Sequence, residues 1–120
     1  MLRSVLLCLT VLTLSCGGKL PAFETIDSDQ WKKDRNACGG YRQGIRSSID
    51  QDIAKLKGLS ENDLFNLLGR PDQNELYKRN QKFYSYFLTP GPGCPSTDSV
   101  VHRVIIRFNA MGYAQQVTVE

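Results

Sequence analysis

A chain of 120 residues amounts to one domain. Hydrophobic and charged contents of 41% and 22% are those of an ordinary globular protein, which excludes bulk disorder. The formal charge of +3 is spread along the chain rather than gathered in a stripe, so no nucleic-acid partner is expected.

Met1, Leu2 and Arg3 form a small positive head, and residues 5–14 are apolar apart from Cys8 and two threonines. That run is short of the roughly 20 apolar residues a spanning helix needs, and it matches the apolar core of a secretory signal. Its end, Leu12-Thr13-Leu14-Ser15-Cys16-Gly17, resembles a bacterial lipobox, in which a small residue precedes a cysteine that is acylated and becomes the new N-terminus. Thr13 departs from that pattern, where leucine is usual. The resemblance implies a signal over residues 1–15, a lipidated tether over 16–30 and a domain over 31–120. It places the lipid on Cys16 and the protein in the bacterial cell envelope, anchored to the outer membrane.

Of the 4 cysteines, Cys8 then leaves with the signal and Cys16 carries lipid. Cys38 and Cys94 remain, and two thiols in an exported domain have one possible bridge. Two unrelated free thiols are the alternative.

Residues 17–30 are small, polar and without period, and read as the tether, with Phe23 and Ile26 able to dock on the body. Trp31, the only tryptophan, is expected in the core. Over 41–57 the apolar residues Tyr41, Ile45, Ile49, Ile53 and Leu56 form an i, i+4 stripe, which predicts one amphipathic helix. Arg42, Arg46, Asp50, Asp52, Lys55 and Lys57 fall on its other faces. Gly58 ends it, and a second, well-specified helix follows. Ser60 is its N-cap, Asp63 favours the positive end of its dipole, and Leu59 and Leu64 are placed to staple its entry. Leu64, Leu67 and Leu68 make its buried stripe, Gly69 suits the residue past its end, and Pro71 stops continuation.

Beyond Asp72 the period changes to two. Strands are predicted over 74–79, over the aromatic-rich 82–89, over 100–108 and over 113–120, with turns at 80–81 and 109–112 and a Pro/Gly-rich loop over 90–99. Helices followed by strands, without βαβ alternation, predict an α+β fold: two helices on one face of a three- or four-stranded antiparallel sheet, the other face open.

That order, behind a lipobox, resembles the small outer-membrane lipoproteins of the BamE/SmpA type. The residues carrying the likeness are Gly58-Leu59-Ser60, the helix over 63–68, Leu68-Gly69-Arg70-Pro71-Asp72 and Tyr84-Ser85-Tyr86. The layout is also similar to that of β-lactamase inhibitor proteins. The resemblance implies contact with other envelope proteins, such as support of outer-membrane assembly. The Cys38/Cys94 pair and the Pro-Gly-Pro-Gly-Cys-Pro loop are departures from the assembly lipoproteins.

Catalysis is not expected. His102 is the only histidine and sits in a strand, no Gly-x-Ser-x-Gly elbow is present, and Asp50 and Asp52 point different ways on their helix. No cofactor or metal is implied. On the third strand Val101, Arg103, Ile105 and Arg107 point one way, and Val100, His102, Val104, Ile106 and Phe108 point to the core. Both faces of the neighbouring strand are aromatic, so the open face carries arginine beside rings. Arg103, Arg107, Tyr84 and Tyr86 are the candidate partner-binding residues. The alternative function is a small-ligand or glycan binding module facing the periplasm, with a pocket under the 90–99 loop lined by Tyr77, Tyr84 or Tyr86.

Overall fold

Four strands alternate between an apolar and a more polar face, and the helical half supplies the cover for the apolar one. The structure, a computed structural model, describes residues 20–77, 81–96 and 100–120. The leader, Cys16, the turn residue Asn80 and the Tyr77 side chain lie outside the described residues. The strands β1 (Gln73–Tyr77), β2 (Gln81–Phe87), β3 (Arg103–Phe108) and β4 (Ala114–Val119) form one antiparallel sheet in the order β1-β2-β3-β4. The fold is α+β, with the helices preceding the sheet in the chain.

The helical half is more broken than its apolar stripe implies. In place of two helices stand α1 (Ser28–Lys33), a 3-10 turn (Arg35–Ala37), α2 (Tyr41–Ile45), a second 3-10 turn (Arg46–Ser48), α3 (Asp50–Ala54) and α4 (Glu61–Leu68). The stripe survives, with Ile49, Ile53 and Leu56 buried and Tyr41 and Ile45 packed against them. The helix expected over 41–57 does not: the chain tightens through Arg46, Ser47 and Ser48. Serine offers the backbone competing hydrogen bonds and is a poor interior helix former. Only α4 has the expected ends. Ser60 Oγ accepts from the Asp63 backbone N–H at 3.2 Å, and Gly69 takes a positive φ of 74° just past the last turn.

One core joins the layers. Trp31, Leu56, Leu64 and Leu68 from the helical side meet Tyr84, Tyr86, Val104, Ile106 and Phe108 from the sheet. Tyr84 and Phe108 pack edge-on, with ring centroids 4.6 Å apart, and Phe65 meets Tyr84 at 5.8 Å. Among the described residues no helix is long and apolar enough to cross a membrane.

The body begins before residue 31. Asp52, expected at the surface, is fully buried and accepts the backbone N–H groups of Glu24, Thr25 and Ile26 at 2.7, 2.8 and 2.9 Å. Lys55 Nζ donates to the Ala22 carbonyl. Burial pushes the Asp52 carboxyl up, but the three amide donors and Lys55 outweigh it and hold it below the usual carboxylate range. A depressed folded value stabilises the docked segment fully above the unfolded value of about 3.9, and the benefit is lost as pH falls through the folded value. Asp52→Ala is therefore expected to cost about 1–3 kcal/mol through orphaned amide donors. Hydrogen exchange should show loss of protection at Glu24, Thr25 and Ile26, and the same amides should lose protection in the native protein only in acid.

Candidate functional site

The open face of the sheet is built by register. Residues opposite one another on neighbouring strands share a face, so the pairings place three rows there. Phe87 and Arg103 form the first, continued by Glu120 just past β4. Gln73, Ser85, Ile105 and Thr118 form the second, and Glu75, Phe83, Arg107 and Gln116 the third.

This corrects the expected site. Tyr84 and Tyr86 are not beside the arginines; they stand opposite Ile106 and Val104 on the core face, 3% and 0% exposed. Their hydroxyls are used inside the fold: Tyr84 donates to Glu61 Oε1 at 2.8 Å and Tyr86 to the Gly69 carbonyl at 2.9 Å. Burial and the Glu61 carboxylate push the Tyr84 phenol up to about 12, and burial raises Tyr86 as well. Arg103 and Arg107 do lie on the open face, and the rings next to them are Phe83 and Phe87. The aromatic strand gives either set by alternation alone. Which one faces inward depends on its register with β3, whose Val104, Ile106 and Phe108 are buried.

The arginines differ in their surroundings. Arg103 Nε lies 3.2 Å from Glu120 Oε2. Arg107 makes no ion pair among the described residues, and its Nε is buried without a hydrogen-bond partner.

Two hollows lie on this face. One, about 290 Å³, runs under the proline-rich loop and is lined by Gln73, Phe87, Pro92, Val101, Arg103 and Glu120. The other, about 200 Å³, is lined by Glu75, Phe83, Ser85, Arg103 and Ile105. Arg103 belongs to both, so they adjoin. A hollow thus exists where the ligand alternative places one, but Tyr84 and Tyr86 take no part in it. The loop rests on Phe87 so closely that only glycine fits at position 91, where a Cβ would lie 2.7 Å from the ring. A further hollow of about 320 Å³ lies off this face, between Leu76 and Met111, which are 70% and 82% exposed.

The loop is fixed from below. Cys38 and Cys94 are joined as a disulfide, Cα atoms 5.3 Å apart, and the Gly91 N–H donates to the Asn36 carbonyl at 3.0 Å. Beneath them sits a hub that pattern reading misses. Arg42, expected on the solvent face of a helix, is fully buried. Its guanidinium donates to Asp72 Oδ2 at 2.6 Å, to the Phe87 carbonyl at 3.1 Å and to the Trp31 carbonyl at 2.9 and 3.3 Å. Its plane lies 4.5 Å from the centre of the Trp31 rings. Burial lowers the Arg42 pKa, and Asp72 pulls it part of the way back. Asp72 also accepts the amides of Asn36 and Phe87, so one ion pair ties α1, the following turn and the end of β2 together. Asp34 completes the arrangement by accepting the Gly39 and Arg42 amides.

No family model, curated protein or solved structure matches this chain. The resemblance to the assembly lipoproteins therefore rests on the sequence residues that carry it.

Proposed function

We propose that this protein is a lipid-anchored adaptor of the bacterial cell envelope, held to the outer membrane through Cys16, that binds another envelope protein without catalysis. The observation carrying the reading is the open sheet face, where Arg103 and Arg107 flank Phe83 and Ile105 beside a loop stapled by a disulfide. Arginine and aromatic side chains dominate binding hot spots because they combine apolar area with directional charge. A disulfide fits an oxidising compartment, which agrees with a secretory leader. A role in outer-membrane assembly or integrity is what the family resemblance adds.

The double reversal Arg103→Glu with Arg107→Glu tests the face. The Arg103–Glu120 pair is a surface one, worth at most about 1 kcal/mol, so thermal unfolding should move little. Crosslinked recovery of a partner from intact cells should be lost. If the same partners come down with the double variant, the face is not the binding site. The address is tested separately: the intact mass of the native protein should begin at an acylated Cys16.

A further inference from the structure

The shape of the open face follows from side-chain size along β2. Its residues there run Phe83, Ser85, Phe87, so one small hydroxyl stands between two rings, with Ile105 directly opposite. That sequence of large, small and large leaves the hollow of about 200 Å³, floored by Ser85 and Ile105 and walled by Phe83, Glu75 and Arg103. One row farther from the loop stands Arg107, opposite Phe83. Its buried Nε lacks an acceptor, whereas Arg103 already has Glu120. That nitrogen is closed off from solvent, so a carboxylate arriving from outside would pair with the rest of the half-buried guanidinium, which has no ion pair among the described residues.

Rows on one sheet face are two residues apart, about 6.6 Å, and an extended chain laid along β2 and β3 repeats its own side chains at the same interval. We infer that this face receives an extended segment of the partner protein, with an apolar side chain in the Ser85 hollow and, two residues along, a carboxylate on Arg107. The inference rests on the protein-binding reading and specifies the chemistry of the partner at that site. Charge placement supports it. Near the loop Arg103 is neutralised by Glu120, and Glu75, the other charge lining the hollow, repels an acid there, which leaves Arg107 as the position for the carboxylate. Glu75 stands two strands, about 10 Å, from Arg107, too far to oppose the carboxylate strongly but placed to disfavour a second acid. A second copy of this chain is a poorer occupant. Four strands of about six residues make a face about 19 Å wide and about 20 Å long, roughly 400 Å², well short of the roughly 800 Å² per partner of a standard interface. The loop over Phe87 would also hold another sheet away at one end.

The test uses the mature lipidated chain in detergent and the fluorescent peptide acetyl-Ser-Thr-Leu-Thr-Glu-Ser-amide, with peptides carrying Asn for Leu or Lys for Glu as controls. The Leu/Glu peptide should bind about tenfold or more tightly than either control by anisotropy. Arg107→Glu should transfer the preference to the Lys peptide, and Ser85→Leu, which fills the hollow, should remove the advantage of Leu over Asn. Equal affinity for all three peptides, or indifference to Arg107→Glu, overturns the inference. So does a concentration-dependent dimer in sedimentation that Ser85→Leu abolishes, which assigns the face to a second copy. A photo-crosslinker at Ile105 in intact cells separates the two levels. A heterologous adduct together with indifferent peptides leaves the adaptor reading standing and sinks this inference; no adduct and no peptide preference sinks both.

Discussion

Arg42→Ala should be the most damaging single substitution in the domain, costing about 3–5 kcal/mol in urea unfolding. Two charges fully withdrawn from water are tolerated here because every oxygen around the guanidinium is used. Arg42 serves Asp72, the Phe87 carbonyl and the Trp31 carbonyl, and stacks on the Trp31 rings. Truncation leaves Asp72 with only the half-exposed Arg35, 3.7 Å away, as its cation, takes the guanidinium from the Phe87 carbonyl and from a Trp31 carbonyl that keeps only the Asp34 N–H, and opens a cavity beneath an indole. Arg42→Lys should recover only part of the loss, since an ammonium keeps the charge but cannot reach both sides of the fork or stack on the ring. Asp72→Asn should fall between them: the amide keeps the acceptor for the Asn36 or Phe87 N–H but faces Arg42 without a charge. A loss below about 1 kcal/mol for Arg42→Ala would mean that the pair is not the hub of the fold.

The same pair shows why some of this protein is legible in its sequence and some is not. Local rules sufficed for α4, whose cap, stripe and terminator lie within ten residues of one another. They sufficed for the hairpin turn at 109–112, where Asn109 Oδ1 accepts the Met111 and Tyr113 amides, and for Val104, Ile106 and Phe108 on β3, but not for Val100 and His102, which precede the strand and are exposed and half-buried. Arg42 and Asp72 are 30 residues apart, and a pattern that sorts charged residues outward assigns both to solvent. Asp52 fails for the same reason: its partners are backbone amides 26 to 28 residues upstream, which carry no side-chain signal. On the sheet, Tyr84 and Tyr86 resemble Phe83 and Phe87 in every local respect. Register with β3 alone decides which pair meets the arginines.

Loss of the disulfide, by Cys38→Ser with Cys94→Ser or by reduction, is the second large effect expected. The bridge closes a loop with a sequence separation of 56, which on the chain-entropy model restrains the unfolded state by about 4 kcal/mol. For a domain of about 100 residues that corresponds to a fall in unfolding temperature of roughly 15 °C or more. The native side tempers this figure. Asn36 and Ala37 both hold positive φ, 55° and 56°, and asparagine tolerates that region where alanine does not. The turn is kept there from three directions: by Asp72 on the Asn36 amide, by Gly91 on the Asn36 carbonyl and by the bridge at Cys38. Without the bridge the turn is free to relax, returning part of the lost stability while letting the loop lift from Phe87. Ala37→Gly separates the two contributions, because it removes the strain without touching the bridge. In the oxidised protein it should be neutral or stabilising by up to about 1 kcal/mol, the relief at positive φ exceeding the added chain entropy. In the reduced protein that gain should shrink, since the turn has relaxed already. Equal gains in both states would show that the turn keeps its shape without the bridge, and that the hub of Arg42 and Asp72 alone holds the floor of the open face.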